Sequence, residues 1–259
     1  RQMCIRDRYV GAVDLLASTS RRILKISDDE LGEAKKSPVI AGKLDRISAY
    51  RASSKREATR KFATCAHRYT YDSFRRDSGV GFACISSSRR EYLPLAVVPK
   101  GAVSYATIQI IYNCPLWVFA LIISKIHLVW VRLLAGRMKD DLNYSSTICY
   151  NTFPFSAMSK QREEELAMCA LRILEVQERY PDRTLAELYD PDKMPEDLLE
   201  AHELNDEAVE RCYRARPFES DEDRLQVLFD LYAKMTAEEA DKGSLFESSK
   251  TKKKRKRHA

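Results

Sequence analysis

The run Arg137-Met138-Lys139-Asp140-Asp141-Leu142-Asn143-Tyr144-Ser145 sets an ammonium, carboxylates and a carboxamide a few residues apart, directly after an apolar stretch. A lysine in such a place can donate to O6 and N7 of guanine, and an aspartate can accept from the N4 amino group of cytosine. A second set, Arg46, Arg51, Lys55, Arg56, Arg60 and Lys61, recurs at near-helical intervals with Ser53, Ser54 and Thr59 among them, a mixture suited to phosphate oxygens. Ordinary solvated surface accounts for the basic set as well as a phosphate-binding face does, and for the loop it is the simpler reading on spacing alone.

Catalytic patterns are weaker. Amino-methyl transfer to DNA calls for Asn or Asp followed by Pro-Pro and an aromatic residue, and none of the nine prolines adjoins another. The sole Gly-x-Gly, Gly79-Val80-Gly81, has Cys84 where a dinucleotide fingerprint has its third glycine, so a turn entering a strand is expected there. Asp14 with Glu33-Ala34-Lys35 loosely matches nuclease spacing, but the pair falls in a charged helical stretch that would not aim both side chains at one metal. Histidines 67, 127, 202 and 258 are far apart and the seven cysteines contain no C-x-x-C, which points to reduced thiols and no metal site. No catalytic, cofactor-binding or metal-binding residue is therefore assigned.

Charge is unevenly spread. Residues 1–155 carry 25 Lys+Arg against 13 Asp+Glu, residues 156–249 carry 12 against 25, and residues 250–259 add seven basic residues and no acid. A basic part suited to a polyanion thus precedes an acidic one, whose charge is also what a solvated helix surface would show. Residues 1–8 resemble translated adapter DNA, so they are set aside from fold reasoning and the chain is treated as a piece of a longer protein.

The elements that would position these residues follow from local signals. Ser27-Asp28-Asp29-Glu30 opens a helix, and a basic helical stretch is expected from Val39 to about Ala63. Short β-branched runs from Gly79 to Tyr112, with a turn at Pro99-Lys100-Gly101, predict a small sheet. Leu116–Val131 is 16 residues long and carries Lys125 and His127. A membrane span needs about 20 apolar residues, so one buried core helix is predicted, followed by a polar loop from Gly136 to Tyr150. Beyond Ser156, Ser159, Thr184-x-x-Glu187, Pro195 and Ser220-x-x-Asp223 each start a helix. Residues 9–26 show no clear period.

Three stretches resemble MmeI-like (type IIL) restriction-modification enzymes. They are Arg51 to Lys61 (RASSKREATRK), Ser86 to Pro94 (SSSRREYLP), and a third that links Lys125-Ile126-His127, Trp130, Gly136-Arg137-Met138-Lys139, Tyr144-Ser145 and Tyr150-Asn151-Thr152-Phe153-Pro154. The similarity continues through Leu185 to Tyr189, Met194-Pro195 and Arg211-Cys212-Tyr213. Ala120 and Ile123 replace a usual Gly and Ser, Asn143 replaces a usual Arg, and Phe155-Ser156 replaces Trp-Pro.

The resemblance implies an α+β fold: a DNA target-recognition domain over 26–155 with a small mixed sheet, then an all-α C-terminal domain over 156–240. Residues 1–25 stay unassigned and 241–259 form a disordered basic tail. It further implies base readout by Lys139, Asp141 and Asn143, with Lys139 and Asp141 sharing one G·C pair. Backbone contacts would come from Arg51, Lys55, Arg56, Arg60, Arg89, Arg90, Arg137, Tyr144 and Ser145. Double-stranded DNA is the expected partner, together with the methyltransferase and nuclease domains of a cytoplasmic bacterial parent. That parent would use S-adenosylmethionine and Mg2+, and this chain would hold neither. The alternative is a non-catalytic interaction protein with an acidic helical module and a non-specific basic tail.

Overall fold

The computed structural model describes residues 6–19, 21–69 and 77–255. In chain order its first elements are β1 (Arg6–Val10), α1 (Ala12–Leu16), β2 (Arg21–Leu24), α2 (Leu31–Ala34), α3 (Pro38–Ala52) and α4 (Glu57–Arg60). Then come β3 (Gly79–Ala83), β4 (Ile85–Ser86), β5 (Ala96–Val98), β6 (Val103–Ser104) and β7 (Ile108–Tyr112). Helices α5 (Leu116–Ile122) and α6 (Lys125–Leu134) lead to strands β8 (Gly136–Met138) and β9 (Asp141–Asn143) and a π-helix, Ser146–Tyr150. The chain ends in α7 (Lys160–Glu178), α8 (Leu185–Leu188), α9 (Glu196–Tyr213) and α10 (Asp221–Arg255). Small sheets early and helices late make this α+β, as expected.

Two compact units interleave along the sequence: residues 1–83 with 95–113, and residues 84–94 with 114–259. The expected boundary at 155 falls inside the second. In the first unit lie the sheets β2-β1-β6 and β5-β3-β7, and in the second of these the β-branched Val80, Val97, Val98, Ile108, Ile110 and Ile111 suit a pleated surface. Arg6–Arg8, which the sequence reading set aside, pair with Arg22–Leu24 in β1–β2, while residues 1–5 lie outside the described residues. At Pro99-Lys100-Gly101 the Ala102 N–H reaches the Pro99 carbonyl at 3.2 Å with Gly101 at φ 78°, a turn that needs a residue without Cβ. Gly79 and Gly81 serve packing rather than a cofactor loop, since a Cβ would meet the Ile111 carbonyl oxygen at 2.6 Å or Val98 Cγ2 at 2.7 Å.

The basic stretch expected as one helix to about Ala63 divides at Ser53 into α3 and the short α4. The helix expected to open at Ser27-Asp28-Asp29-Glu30 is the four-residue α2, which follows a turn in which the Glu30 carboxylate accepts from Ser27 N and Oγ.

In the second unit, the apolar stretch is two helices, not one, with a 55° bend between α5 and α6. Ser124 produces the break, because its Oγ caps α6 by accepting the His127 N–H and itself donates to the Leu121 carbonyl at 2.6 Å. No single described helix is long and apolar enough to cross a membrane. Residues Phe119 to Ile123, Ile126 and Val131 are fully buried, and α7 and α9 bring Leu166, Ile173 and Leu198 into the same unit's core. The helix starts at Ser159, Thr184, Pro195 and Ser220 fall where the sequence places them. Helix α10 continues through 241–255, where the sequence predicts disorder; residues 256–259 lie outside the described residues.

Candidate functional site

The polar loop expected after the apolar stretch is a β-hairpin. Helix α6 ends at Leu134 with Ala135 as its extended cap, β8 and β9 pair antiparallel, and only Lys139 and Asp140 stand between them. Lys139 has φ 56°, a left-handed conformation at the first central position of a two-residue turn, where glycine is the usual solution. Holding a lysine there costs of order 1–3 kcal/mol, so the hairpin presents that side chain at its tip against local preference.

Strand alternation sorts the remaining residues. Leu142 is 2% exposed and anchors the sheet, while Asp141 and Asn143 project from the opposite face, half-buried and exposed respectively. Their cross-strand partners are Met138 for Asp141, and both Gly136 and Ile85 for Asn143, because β4 pairs with the other edge of β9. The outward face therefore carries a carboxylate and a carboxamide between two exposed apolar side chains, Ile85 and Met138.

The structure places the expected phosphate contacts unevenly. Lys55 and Arg56 are exposed in the turn between α3 and α4. Arg51 is tied down, its guanidinium donating to the carbonyls of Phe62, Cys65 and Arg68 at 2.9 to 3.1 Å, and Arg60 likewise closes the turn through Ser54 O and Lys55 O. Arg89 pairs with Asp192 at 2.7 Å, although both remain exposed. Arg90 is half-buried, and burial pulls its guanidinium below the ordinary arginine range while Asp190 and Asp141 pull it back. Arg137 is exposed and reaches the Asp140 and Arg132 carbonyls only at 3.4 and 3.5 Å. Ser145 is half-buried before the π-helix.

Tyr144 stands apart from the contacts expected of it. It is 3% exposed, its hydroxyl lies 3.1 Å from His127 Nε2, and burial pushes its phenol far above the usual value. Period-2 alternation from Leu142 turns it inward, so its hydroxyl belongs to the core.

Sequence reasoning missed a buried polar group on α9. His202, Asn205 and Asp206 lie among Leu198, Ala201, Ala208 and Val209 on the buried face of the helix. His202 Nε2 is 2.9 Å from the Tyr189 hydroxyl, and Asp206 accepts from the Tyr92 hydroxyl at 2.9 Å and the Lys125 N–H at 2.7 Å. Polar residues at core spacing were the available signal.

Of the weaker catalytic patterns, Asp14 is buried and held by Arg21 and by Gly11 N–H, and Glu33 pairs with Lys36 on the exposed side of α2. Among the described residues no group of three or more His, Cys, Asp or Glu could hold a metal ion.

Two family models match the chain: "MmeI, target recognition domain" over residues 2–157 and "MmeI, C-terminal domain" over residues 157–239. This chain belongs to the MmeI family. The MmeI-type chain is 33% identical over 229 residues to DNA methyltransferase A of Bacillus subtilis (strain 168), covering 88% of itself and 26% of that protein. A solved structure of the type IIL restriction-modification enzyme MmeI in complex with DNA superposes with a TM-score of 0.85 at 28% identity, over 90% of this chain and 31% of that one. The MmeI-family chain thus spans less than a third of the length of either relative. The resemblance read from its sequence holds, and the hairpin lies within the part matched as target recognition domain.

Proposed function

We propose that this chain is the sequence-specific, duplex DNA-recognition part of a bacterial restriction-modification adenine-N6 DNA methyltransferase. The observation that carries the reading is the β8–β9 hairpin. In the region matched as a target recognition domain, and in a fold shared with an MmeI–DNA complex, it presents Lys139, Asp141 and Asn143 from a strained turn and an outward strand face. Lys139 would donate to guanine and Asp141 would accept from the cytosine of the same pair in the major groove. Lys55, Arg56, Arg89 and Arg137, all exposed, would contact phosphates.

Residues 26–155 would form the recognition domain and 156–240 the helical one, in a cytoplasmic parent that uses S-adenosylmethionine and Mg2+. Those groups do not fit the described residues, because the one Gly-x-Gly is packed inside a sheet and no acidic cluster could hold a cation. Methyltransferase and nuclease domains would supply them.

Selection of bound duplexes from a randomised library, followed by sequencing, tests the proposal. A defined site, bound several kcal/mol more tightly than bulk DNA, is expected. Salt-dependent binding that is equal for every sequence would instead favour an interaction protein with a non-specific basic tail.

A further inference from the structure

Two adjacent residues of α9 meet the break between α5 and α6. Asn205 Nδ2 donates to the Ala120 carbonyl at 2.9 Å, and Asp206 Oδ1 accepts the Lys125 N–H at 2.7 Å. Ends of helices leave backbone groups without intrahelical partners. Here the first residue closes the end of α5 and the second opens α6. Asp206 Oδ2 accepts the Tyr92 hydroxyl at 2.9 Å, and the Tyr92 ring stacks on His202 with centroids 4.1 Å apart.

These bonds converge on the hairpin from both sides. Tyr92 lies six residues beyond β4, and α6 runs directly into β8. Strands β4 and β8 are the two neighbours of β9 in the order β4-β9-β8. A single carboxylate is therefore bonded to the segments that carry both flanks of the strand bearing Asp141 and Asn143. Asn205 is fully buried and Asp206 nearly so. Apolar residues would fill the same space without the desolvation that a buried carboxylate suffers, so what the pair adds at this site is directed hydrogen bonds rather than packing.

We propose that Asn205 and Asp206 are positioning residues for the β8–β9 hairpin, fixing the α5–α6 bend and the β4 segment so that Lys139, Asp141 and Asn143 are held in one frame. Its consequence for base selection rests on the hairpin reading given above; its mechanical part does not.

Hydrogen–deuterium exchange on the full chain tests the mechanics. In Asp206→Ala the amides of 85–86 and 136–144 are expected to exchange at least tenfold faster than in the wild type, while those of β3 and β7 keep their rates. Asp206→Asn keeps an acceptor for Lys125 N–H and should restore most of the protection. Tyr92→Phe, the milder variant should alanine fail to fold, is expected to loosen 85–86 more than 136–138. Unchanged exchange in β4 and the hairpin would overturn the proposal.

Selection from a randomised duplex library tests the consequence. Asp206→Ala is expected to lose at least tenfold in preference at the positions the wild type specifies, with affinity for non-specific DNA within twofold. Preference that survives intact in the folded variant would overturn the proposal. A wild type with no preference would sink the hairpin reading, and exchange alone would then decide whether the α9 pair positions the hairpin.

Discussion

The hydroxyl of Tyr144 lies 3.1 Å from Nε2 of His127, and both side chains are buried. The pair joins the residue after β9 to the helix that leads into β8, pinning the base of the hairpin from within. Nδ1 of His127 has no hydrogen-bond partner among the described residues, so Tyr144→Phe strips a further hydrogen bond from an imidazole already half satisfied. A loss of about 1–3 kcal/mol is expected, read as a lower urea midpoint at constant m-value. DNA affinity of the folded variant should match the wild type; an intact midpoint with weaker DNA binding would return Tyr144 to the phosphate contacts.

Stability should rise with pH between about 4 and 6.5. Burial lowers His127 and His202 to about 3, so in that window they take up protons only on unfolding, and stability grows as the pH climbs. Burial raises Asp206 to about 7 against the pull of its bonds from Lys125 N–H and Tyr92, with Glu210 and Lys125 the charges in range. It holds a proton in the folded state alone over the same window, which opposes the histidines. The two histidines outweigh Asp206, so the net slope is positive, and Asp206→Asn should steepen it. Asp28 and Asp223, held at about 2 chiefly by Arg68 and Arg214, and the lowered carboxyls of Glu30, Glu165, Glu187 and Glu222 contribute stability that is lost as the pH falls, which steepens the lower end of the window. Urea midpoints from pH 4.5 to 7.5 check this, and equal slopes for the two proteins would mean that Asp206 is ionised throughout.

What the sequence made legible was chemistry written locally. Ser159, Thr184-x-x-Glu187, Pro195 and Ser220 announce helix starts because a cap acts within three residues, and the strands around Pro99-Lys100-Gly101 are marked by their own turn. The α5–α6 break is written locally only in Ser124, whose cap reaches His127 within three residues, and the groups that complete it, Asp206 and Asn205, lie 81 and 85 residues away. The hairpin was read as a loop because its turn uses Lys139 at positive φ in place of the glycine that signals such turns. The candidate reading residues were visible as a polar run. The burial of Tyr144 and the capture of Arg51 by three carbonyls depend on tertiary neighbours that no spacing reveals.

Truncation after Ser249 should weaken DNA binding and flatten its salt dependence without changing the preferred sequence. The removed residues hold seven positive charges and no apolar anchor. Each phosphate they neutralise contributes about 0.9 to the log–log slope. A changed preferred sequence after truncation would contradict this assignment.

Incubated with duplex DNA, S-adenosylmethionine and Mg2+, the chain alone is expected to bind without methylating or cleaving. Incorporation of labelled methyl groups above background would show that a catalytic centre had been overlooked.

If the β8–β9 hairpin reads bases, the most direct measurement is the binding preference of the full chain carrying Lys139→Glu together with Asp141→Arg. Exchanging donor and acceptor across the turn should convert one G·C position of the selected site to C·G, with each mismatch there costing roughly 1–3 kcal/mol. Every other position should keep its preference. Binding that weakens equally on all sequences, with no position altered, would contradict the account.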